Sequence, residues 1–310
     1  MAIFIMDRIA PETVAQLRQQ HEVVDFPESR DRDWRNEADA MIVRTFQVRA
    51  PDLAQVKRLK IVAKHGSGVD NIDIAAASAR GILVTNTPGA NADAVAEYVL
   101  ALALSAARRI VLSDRNLRHS VMGAVQDGLE LGGKTLGLIG LGDIGSRTSR
   151  LFKGAFGARV LAYDPFASDE VFAAAGATKV ADIDTILRQA DVVSLHVPLL
   201  ESTRNLIGQQ QLAAMKPTAI LVNAARGGVV DETALYEALK NGVIAGAASD
   251  VFEIEPPPAD HPLFSLPNFI GSPHVAGSSR DSLLRMGSGA AQACIEALAG
   301  RQPAHVLSAT

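Results

Sequence analysis

The stretch that decides the fold is Lys134-Thr-Leu-Gly-Leu-Ile139, running directly into Gly140-Leu-Gly142-Asp143-Ile144-Gly145. A short apolar run, glycines in G-x-G-x-x-G spacing and a helix-compatible segment (Ile144–Phe152) read as strand, turn and helix. Gly140 permits the tight turn, Gly142 lets the backbone approach a pyrophosphate, and Gly145 lets the helix pack close to the strand. Asp143 and Ile144 open the helix whose N-terminus faces the anion. A second strand, Arg159–Tyr163, ends at Asp164, 19 residues past Gly145. A carboxylate there would accept hydrogen bonds from an adenosine ribose and repel a 2′-phosphate, so the expectation is a dinucleotide site that prefers NAD to NADP.

Strand and helix patterns continue outward from this point. Thr135–Ile139, Arg159–Tyr163, Asp191–His196, Ala219–Val222, Ile244–Ala248 and Phe269–Gly271 read as strands, with helices such as Glu232–Lys240 between them. On the N-terminal side Ala2–Met6, Glu22–Phe26, Ala40–Val43, Ile61–Ala63 and Ile82–Thr85 alternate with helix-like Glu12–Gln20 and Ile72–Arg80. Such alternation implies α/β architecture with parallel sheets covered on both faces. Thr87-Pro88-Gly89 breaks the first series, and Asn91 or Asp93 can cap the helix that follows. That helix, Ala94–Ala107, is apolar almost all round, which suits a domain junction, a subunit interface or an ordinary core position. A polar stretch, Ser113–Gly133, leads to the second series. The last helix is Arg280–Ala299, with Ser279 as cap and Gly300 and Pro303 closing it.

The 310 residues are about twice the ~150-residue prior for one domain. A net charge of −4, from 30 basic and 34 acidic residues, argues against coating nucleic acid or an anionic membrane. Hydrophobic residues at 48% supply a core and exclude general disorder. The single cysteine, Cys294, can form neither an internal disulfide nor a four-thiolate zinc site, and no cluster has metal-ligand spacing. Asp7 and Arg8 interrupt the apolar start before a signal-peptide core forms, and the apolar Tyr98–Ala107 run is ten residues where a bilayer needs roughly 20. A cytoplasmic protein is expected.

Three later segments place polar residues directly after an apolar strand: Val222-Asn-Ala-Ala-Arg226-Gly-Gly, Ser249-Asp250-Val-Phe-Glu-Ile-Glu255-Pro and Ser272-Pro-His274-Val-Ala-Gly277. Strand C-terminal ends line the ligand crevice of an open parallel sheet, so an arginine, a carboxylate and a histidine should converge where a nicotinamide would lie.

With these residues in view, the chain resembles the NAD-dependent D-2-hydroxyacid dehydrogenase family. The likeness runs through Gly66-Ser-Gly68-Val-Asp70-Asn-Ile-Asp73, Thr87-Pro-Gly-Ala-Asn91, Gly140–Gly145, Asn223-Ala-Ala-Arg226-Gly227, Asp250-Val-Phe with Glu255-Pro256, and Pro273-His274-Val-Ala-Gly277. It implies two Rossmann-like domains. A flavodoxin-like substrate domain is built from residues 1–92 and 281–310, and a doubly wound NAD-binding domain, residues 93–280, is inserted between them. It also implies a homodimer built around the helix after Asn91 and the stretch behind it.

Reducing a 2-keto acid needs a hydride at the carbonyl carbon, a proton at its oxygen and a cation on its carboxylate. Arg226 suits the last task because its planar fork binds two oxygens at once. His274 suits proton transfer, and Glu255 would orient it and favour its charged form. The resemblance places His196 and Pro198 of Leu195-His-Val-Pro198 in the cofactor pocket, together with Ala224, Asp250 and Gly277. His21, His119, His261 and His305 read as ordinary structural or surface histidines. Glu255 argues against a formate dehydrogenase, which carries a neutral amide at that position and needs no proton shuttle; phosphite dehydrogenases keep the carboxylate.

Substrate contacts come from the first domain. By resemblance, backbone N–H groups of Ser67-Gly68 bind the substrate carboxylate. Lys64 and Arg44 match basic residues that hold the distal phosphate in phosphoglycerate dehydrogenases; the other reading makes both of them solvated surface charges. The sequence stops soon after its last helix, which implies a short form without a serine-binding regulatory domain, and the Arg118–Glu130 segment lacks an aromatic residue that many relatives carry. A glyoxylate or hydroxypyruvate reductase is the neighbouring alternative. A corepressor-like NAD sensor is the alternative of another class, one that needs extra segments for partner peptides.

Overall fold

The computed structural model describes residues 1–121 and 127–308. The chain divides into two compact units, one of Met1–Asn91 with Ser278–Thr310 and the other of Ala92–Gly277. It passes between them at Asn91–Ala92 and Gly277–Ser278, against expected crossings after residues 92 and 280.

In the first unit β1 (Ala2–Ile5), β2 (Glu22–Val24), β3 (Ala40–Val43), β4 (Ile61–Lys64) and β5 (Leu83–Thr85) form a parallel sheet. Their order, β5-β4-β3-β1-β2, is the flavodoxin-like one. The central strands are continuous apolar runs because both faces are covered. Period-2 alternation sends Phe4, Met41 and Val62 into one cluster and Ile3, Ile5, Ile42 and Ile61 into another. The second cluster is closed by Ala290, Ala291 and Cys294 of the helix Arg280–Leu298, so residues from beyond the insertion complete this core. Ser279 caps that helix through the Ser282 amide.

Asp7, just after β1, holds the loop that follows β3. Its carboxylate accepts the N–H groups of Arg44 (2.6 Å), Thr45 (3.0 Å) and Phe46 (3.0 Å), the Thr45 hydroxyl (2.8 Å) and Arg30 (2.9 Å). Burial raises the Asp7 pKa, but the hydrogen bonds outweigh it and the net shift is downward.

The second unit contains β6 (Thr135–Ile139), β7 (Arg159–Tyr163), β8 (Thr178–Lys179), β9 (Val192–Leu195), β10 (Ile220–Asn223), β11 (Gly246–Ser249) and β12 (Phe269–Gly271). All are parallel, in the order β12-β11-β10-β9-β6-β7-β8. The order reverses at β6, the switch point of a doubly wound sheet. A short β13 (Val306–Leu307) then pairs antiparallel with β5 in the first unit.

Register carries the functional consequence. Tyr163 pairs with Ile139, Ile139 with Leu195, Leu195 with Asn223, Asn223 with Ser249 and Ser249 with Gly271. These six residues form one row across the sheet. Asp164, Gly140, His196, Ala224, Asp250 and Ser272 therefore leave the same edge at the same level.

The helix Ala92–Ala107 packs on the helix Asp143–Phe156 and beneath β10 and β11, burying Val95, Val99, Leu102 and Ala103. Asp93 in its first turn pairs with Arg147. Part of the expected polar stretch is a further helix, Ile110–Arg118, none of whose residues is buried. It has no core-facing stripe by which the sequence would show it. Strands β8 and β13 escaped the sequence for a related reason: each is two residues long, and Thr178 and Lys179 are exposed. Within the 118–130 segment, residues 122–126 lie outside the described residues. Among the described residues no helix is long and apolar enough to cross a membrane.

Asp7→Ala strands three backbone donors and should cost about 3 kcal/mol, read as a lower urea midpoint with an unchanged slope. Because the folded carboxyl titrates below its unfolded value, this contribution is present above about pH 4 and fades as the pH falls through the lowered value. The wild type should therefore lose its advantage over the variant in acid.

Candidate active site

The glycine loop leaves β6 at the middle of the row. Gly140 has φ +95°, and a Cβ there would meet the His196 carbonyl oxygen at 2.4 Å. A Cβ on Gly145 would meet the Gly140 carbonyl oxygen at 2.4 Å. Gly142 is different, because a Cβ added there meets nothing within 4 Å. The helix Asp143–Phe156 starts at Gly142 with no side-chain cap, so side chains leave its first amides, Ile144 among them, available to an anion. Open space above Gly142 and an uncapped helix of 14 residues fit a dinucleotide pyrophosphate.

Asp164 closes the loop from the β7 side. Its carboxylate accepts the Leu141 N–H (2.8 Å) and the Phe166 and Ala167 N–H groups (2.9 and 3.1 Å). It thus shapes the glycine turn as well as setting a negative charge where the ribose is expected. On the β9 side, His196 Nε2 lies 3.0 Å from the Ser194 hydroxyl. Burial pushes His196 down to about 4, so the ring is neutral near pH 7. Pro198 lies on the exposed segment beyond it, where its carbonyl accepts the Thr203 hydroxyl.

The other half of the row carries Arg226, Glu255 and His274. Asn223, at the end of β10, is buried; its carboxamide accepts the Ala225 N–H (3.1 Å) and donates to the Arg226 carbonyl (3.0 Å). This turn sets Ala224 and Arg226 beyond the strand. Gly227 follows because nothing larger fits: its Cβ would lie 1.9 Å from the Phe252 carbonyl oxygen. The Arg226 turn and the loop carrying Glu255 are therefore in backbone contact.

Glu255 accepts the Phe252 N–H at Oε1 (3.0 Å) and meets His274 Nδ1 at Oε2 (2.7 Å). Burial raises the Glu255 pKa, yet the His274 and Phe252 hydrogen bonds and the nearby charges of His274 and Arg226 outweigh it, leaving it below the ordinary carboxylate range. The carboxylate is charged at neutral pH. With Nδ1 engaged, assignment by this hydrogen bond leaves Nε2 as the ring nitrogen for a ligand. The His274 side chain is half-exposed.

Asp250, expected on the cofactor, also organises the turn that carries His274. It is 1% exposed, and its carboxylate accepts the Ser272 hydroxyl (2.6 Å) and the Val275 and Ala276 N–H groups (2.9 and 2.7 Å). Its carbonyl accepts the His274 N–H at 2.7 Å. Asp250 thus clamps the turn from both sides of His274, whose φ of +54° is uncommon for a residue with a side chain. The sequence signal for this role was Asp250 leaving the strand next to the one that carries His274. Gly277 ends the same segment and this unit.

The four remaining residues belong to the first unit. Arg44 is held through its N–H on Asp7, and its guanidinium donates to the Ser278 hydroxyl; burial lowers its pKa against the opposing pull of Asp7. Lys64 is 9% exposed, not a solvated surface charge, and its ammonium donates to the Arg44 carbonyl (2.6 Å) and the Asn71 carboxamide. That engagement makes Lys64 a support for the Arg44 loop. The Ser67 hydroxyl donates to the Thr87 carbonyl (3.2 Å) and the Asn91 carboxamide (3.1 Å), and Gly68 follows in the same partly exposed turn.

The two loop glycines separate binding from folding. Gly142→Ala should melt close to wild type yet bind NADH at least ~10-fold more weakly by fluorescence titration. Gly145→Ala should lose stability as well.

Residues 100–276 match the family model described as D-isomer specific 2-hydroxyacid dehydrogenase, NAD binding domain. A D-3-phosphoglycerate dehydrogenase of Archaeoglobus fulgidus is 47% identical over 251 residues, 80% of this chain and 47% of that protein. The chain thus spans about half the length of that relative. A glyoxylate reductase of Aeropyrum pernix is 38% identical over 321 residues, covering 99% of this chain and 95% of that protein. The solved structure of the TT0316 protein from Thermus thermophilus superposes with a TM-score of 0.90 at 34% identity, over 99% of this chain and 100% of that one. A matched model over more than half the chain, on a sheet whose strand ends carry that domain's loops in one row, identifies the chain as a member of the D-isomer specific 2-hydroxyacid dehydrogenase family.

Proposed function

We propose that this chain transfers hydride between NAD(H) and a small D-2-hydroxy acid/2-keto acid pair. The observation that carries the reading is the 2.7 Å Glu255–His274 pair on the same sheet edge as Arg226 and the glycine loop. When bound, NADH supplies the hydride. Arg226 binds the substrate carboxylate through its fork and polarises the neighbouring carbonyl. His274 gives its Nε2 proton to the carbonyl oxygen, and the Glu255 carboxylate stabilises the charged ring from Nδ1. In oxidation the same nitrogen takes the proton back. Asp164 disfavours a 2′-phosphate and supports NAD over NADP.

For the substrate, the backbone N–H groups of the Ser67–Gly68 turn suit a carboxylate, and Arg44 suits a second anionic group such as a phosphate. This favours a 3-phosphoglycerate-like substrate. The coverage of the Aeropyrum pernix glyoxylate reductase, 95% of its length, favours plain glyoxylate or hydroxypyruvate as the second reading. A homodimer is supported by the helix Ile110–Arg118, which leaves Ile110, Val111 and Leu117 exposed with Val121 just beyond it. The lone buried cysteine suits a reducing cytoplasm, and the net charge of −4 suits a small-molecule enzyme better than a nucleic-acid binder.

Arg226→Ala and His274→Ala should each lower kcat for 2-keto acid reduction by about 10²–10⁴-fold while NADH still binds. Wild-type rates in both would remove the proposed roles. In a panel of 2-keto acids with and without a distal anion, Arg44→Ala should raise KM selectively for the dianionic members; equal effects across the panel would assign the substrate to the glyoxylate class. A wild-type chain that binds NADH but reduces nothing would favour an NAD sensor.

A further inference from the structure

Glu232 and His261 play no part in the chemistry above, yet they converge on the loop that presents Glu255. Glu232 opens the helix Glu232–Lys240, whose N-terminus is already capped by the Asp231 carboxylate on the Ala234 N–H (2.9 Å). Its own carboxylate is therefore available to work elsewhere. Oε1 accepts the Glu253 N–H at 2.7 Å, and Oε2 lies 3.0 Å from His261 Nε2. One carboxylate thus grips both ends of the 253–261 loop, which contains Glu255 and three consecutive prolines.

The grip extends to the reacting groups. The His261 ring stacks edge-on against Phe252 with centroids 5.6 Å apart, and Phe252 also packs on Phe264 and Phe269. Phe252 supplies the N–H that Glu255 Oε1 accepts. The Phe252–Glu253 peptide is held from two directions, by Glu232 on its N–H and by Gly227, whose Cβ would lie 1.9 Å from its carbonyl oxygen. His261 Nδ1 is buried with no hydrogen-bond partner, so the tautomer carrying its proton on Nε2, aimed at Glu232, leaves no stranded donor.

We infer that Glu232 and His261 are positioning residues that fix the Glu255 loop against the Arg226 turn, and through Glu255 set the orientation of the His274 ring. This rests on the reductase reading for its kinetic consequence but not for its structural one. Neither residue need touch substrate or cofactor. The charged groups facing Glu255 are His274 and Arg226; those at the brace are Glu232 and His261 themselves.

Two measurements on Glu232→Ala test the inference, with Glu232→Gln as the graded control, since its amide oxygen can still accept from Glu253 while its NH2 meets the His261 Nε2–H donor. Amide exchange should show Phe252 and Glu253 losing protection in the Ala variant while the amides of β10 and β11 keep theirs. In NADH-dependent reduction, kcat should fall ~10-fold or more with little change in NADH affinity. The acid limb of the kcat profile should move to higher pH, because Glu255 loses the fixed Phe252 N–H that helps hold its pKa down. Glu232→Gln, which keeps one of the two contacts, should fall between the wild type and the Ala variant in each readout. Unchanged protection at Phe252 and Glu253, or a fall in kcat with the acid limb unmoved, would overturn the brace. A wild type that reduces no 2-keto acid would instead count against the reductase reading, and the exchange data would still decide the brace.

Discussion

The parallel hydrogen-bond register of β7-β6-β9-β10-β11-β12 is the constraint on which the site depends. Because Tyr163, Ile139, Leu195, Asn223, Ser249 and Gly271 lie in one row, six loops leave the sheet at one level. A slip of a single residue in any strand would send its side chains to the opposite face and displace its loop from the row. The glycine turn and the Arg226, Glu255 and His274 loops are close because the ladder is continuous.

Each loop is then fixed by a buried or part-buried polar group that is not itself chemical. Asn223 shapes the turn before Arg226, Asp250 clamps His274 in a left-handed conformation, and Asp164 ties down the glycine loop. Asp7 does the same for Arg44 in the first unit, and Lys64 reinforces it. In each case a side chain satisfies backbone donors or acceptors at a strand end, where the ladder can no longer do so. The cost of burying these groups is offset by their multiple hydrogen bonds, and the benefit is a geometry set before any ligand arrives.

How much of this was legible in the sequence varied with the physics of each feature. The central strands were readable because burial on both faces makes them uninterrupted apolar runs, as in Ala40–Val43 and Thr135–Ile139. The glycine loop was readable because Gly140 and Gly145 each stand where a Cβ cannot. Arg226, Glu255 and His274 stood out as polar residues directly behind such strands. For Lys64 and Asp250, type and position alone do not tell which contacts a charged side chain makes within its own fold. Glu232 and His261 gave no signal, since their relation to Glu255 exists only after distant segments pack together. The helix Ile110–Arg118 was missed for want of any buried face.

The most direct test is a crystal structure of the chain with NAD. The pyrophosphate is expected over Gly142 at the N-terminus of the helix Asp143–Phe156, the adenosine ribose on Asp164, and the nicotinamide across the ends of β10 to β12 beside Arg226 and His274. A dinucleotide bound at any other edge, or a nicotinamide out of reach of His274, would contradict the assignment of this strand-end row as the site of hydride transfer.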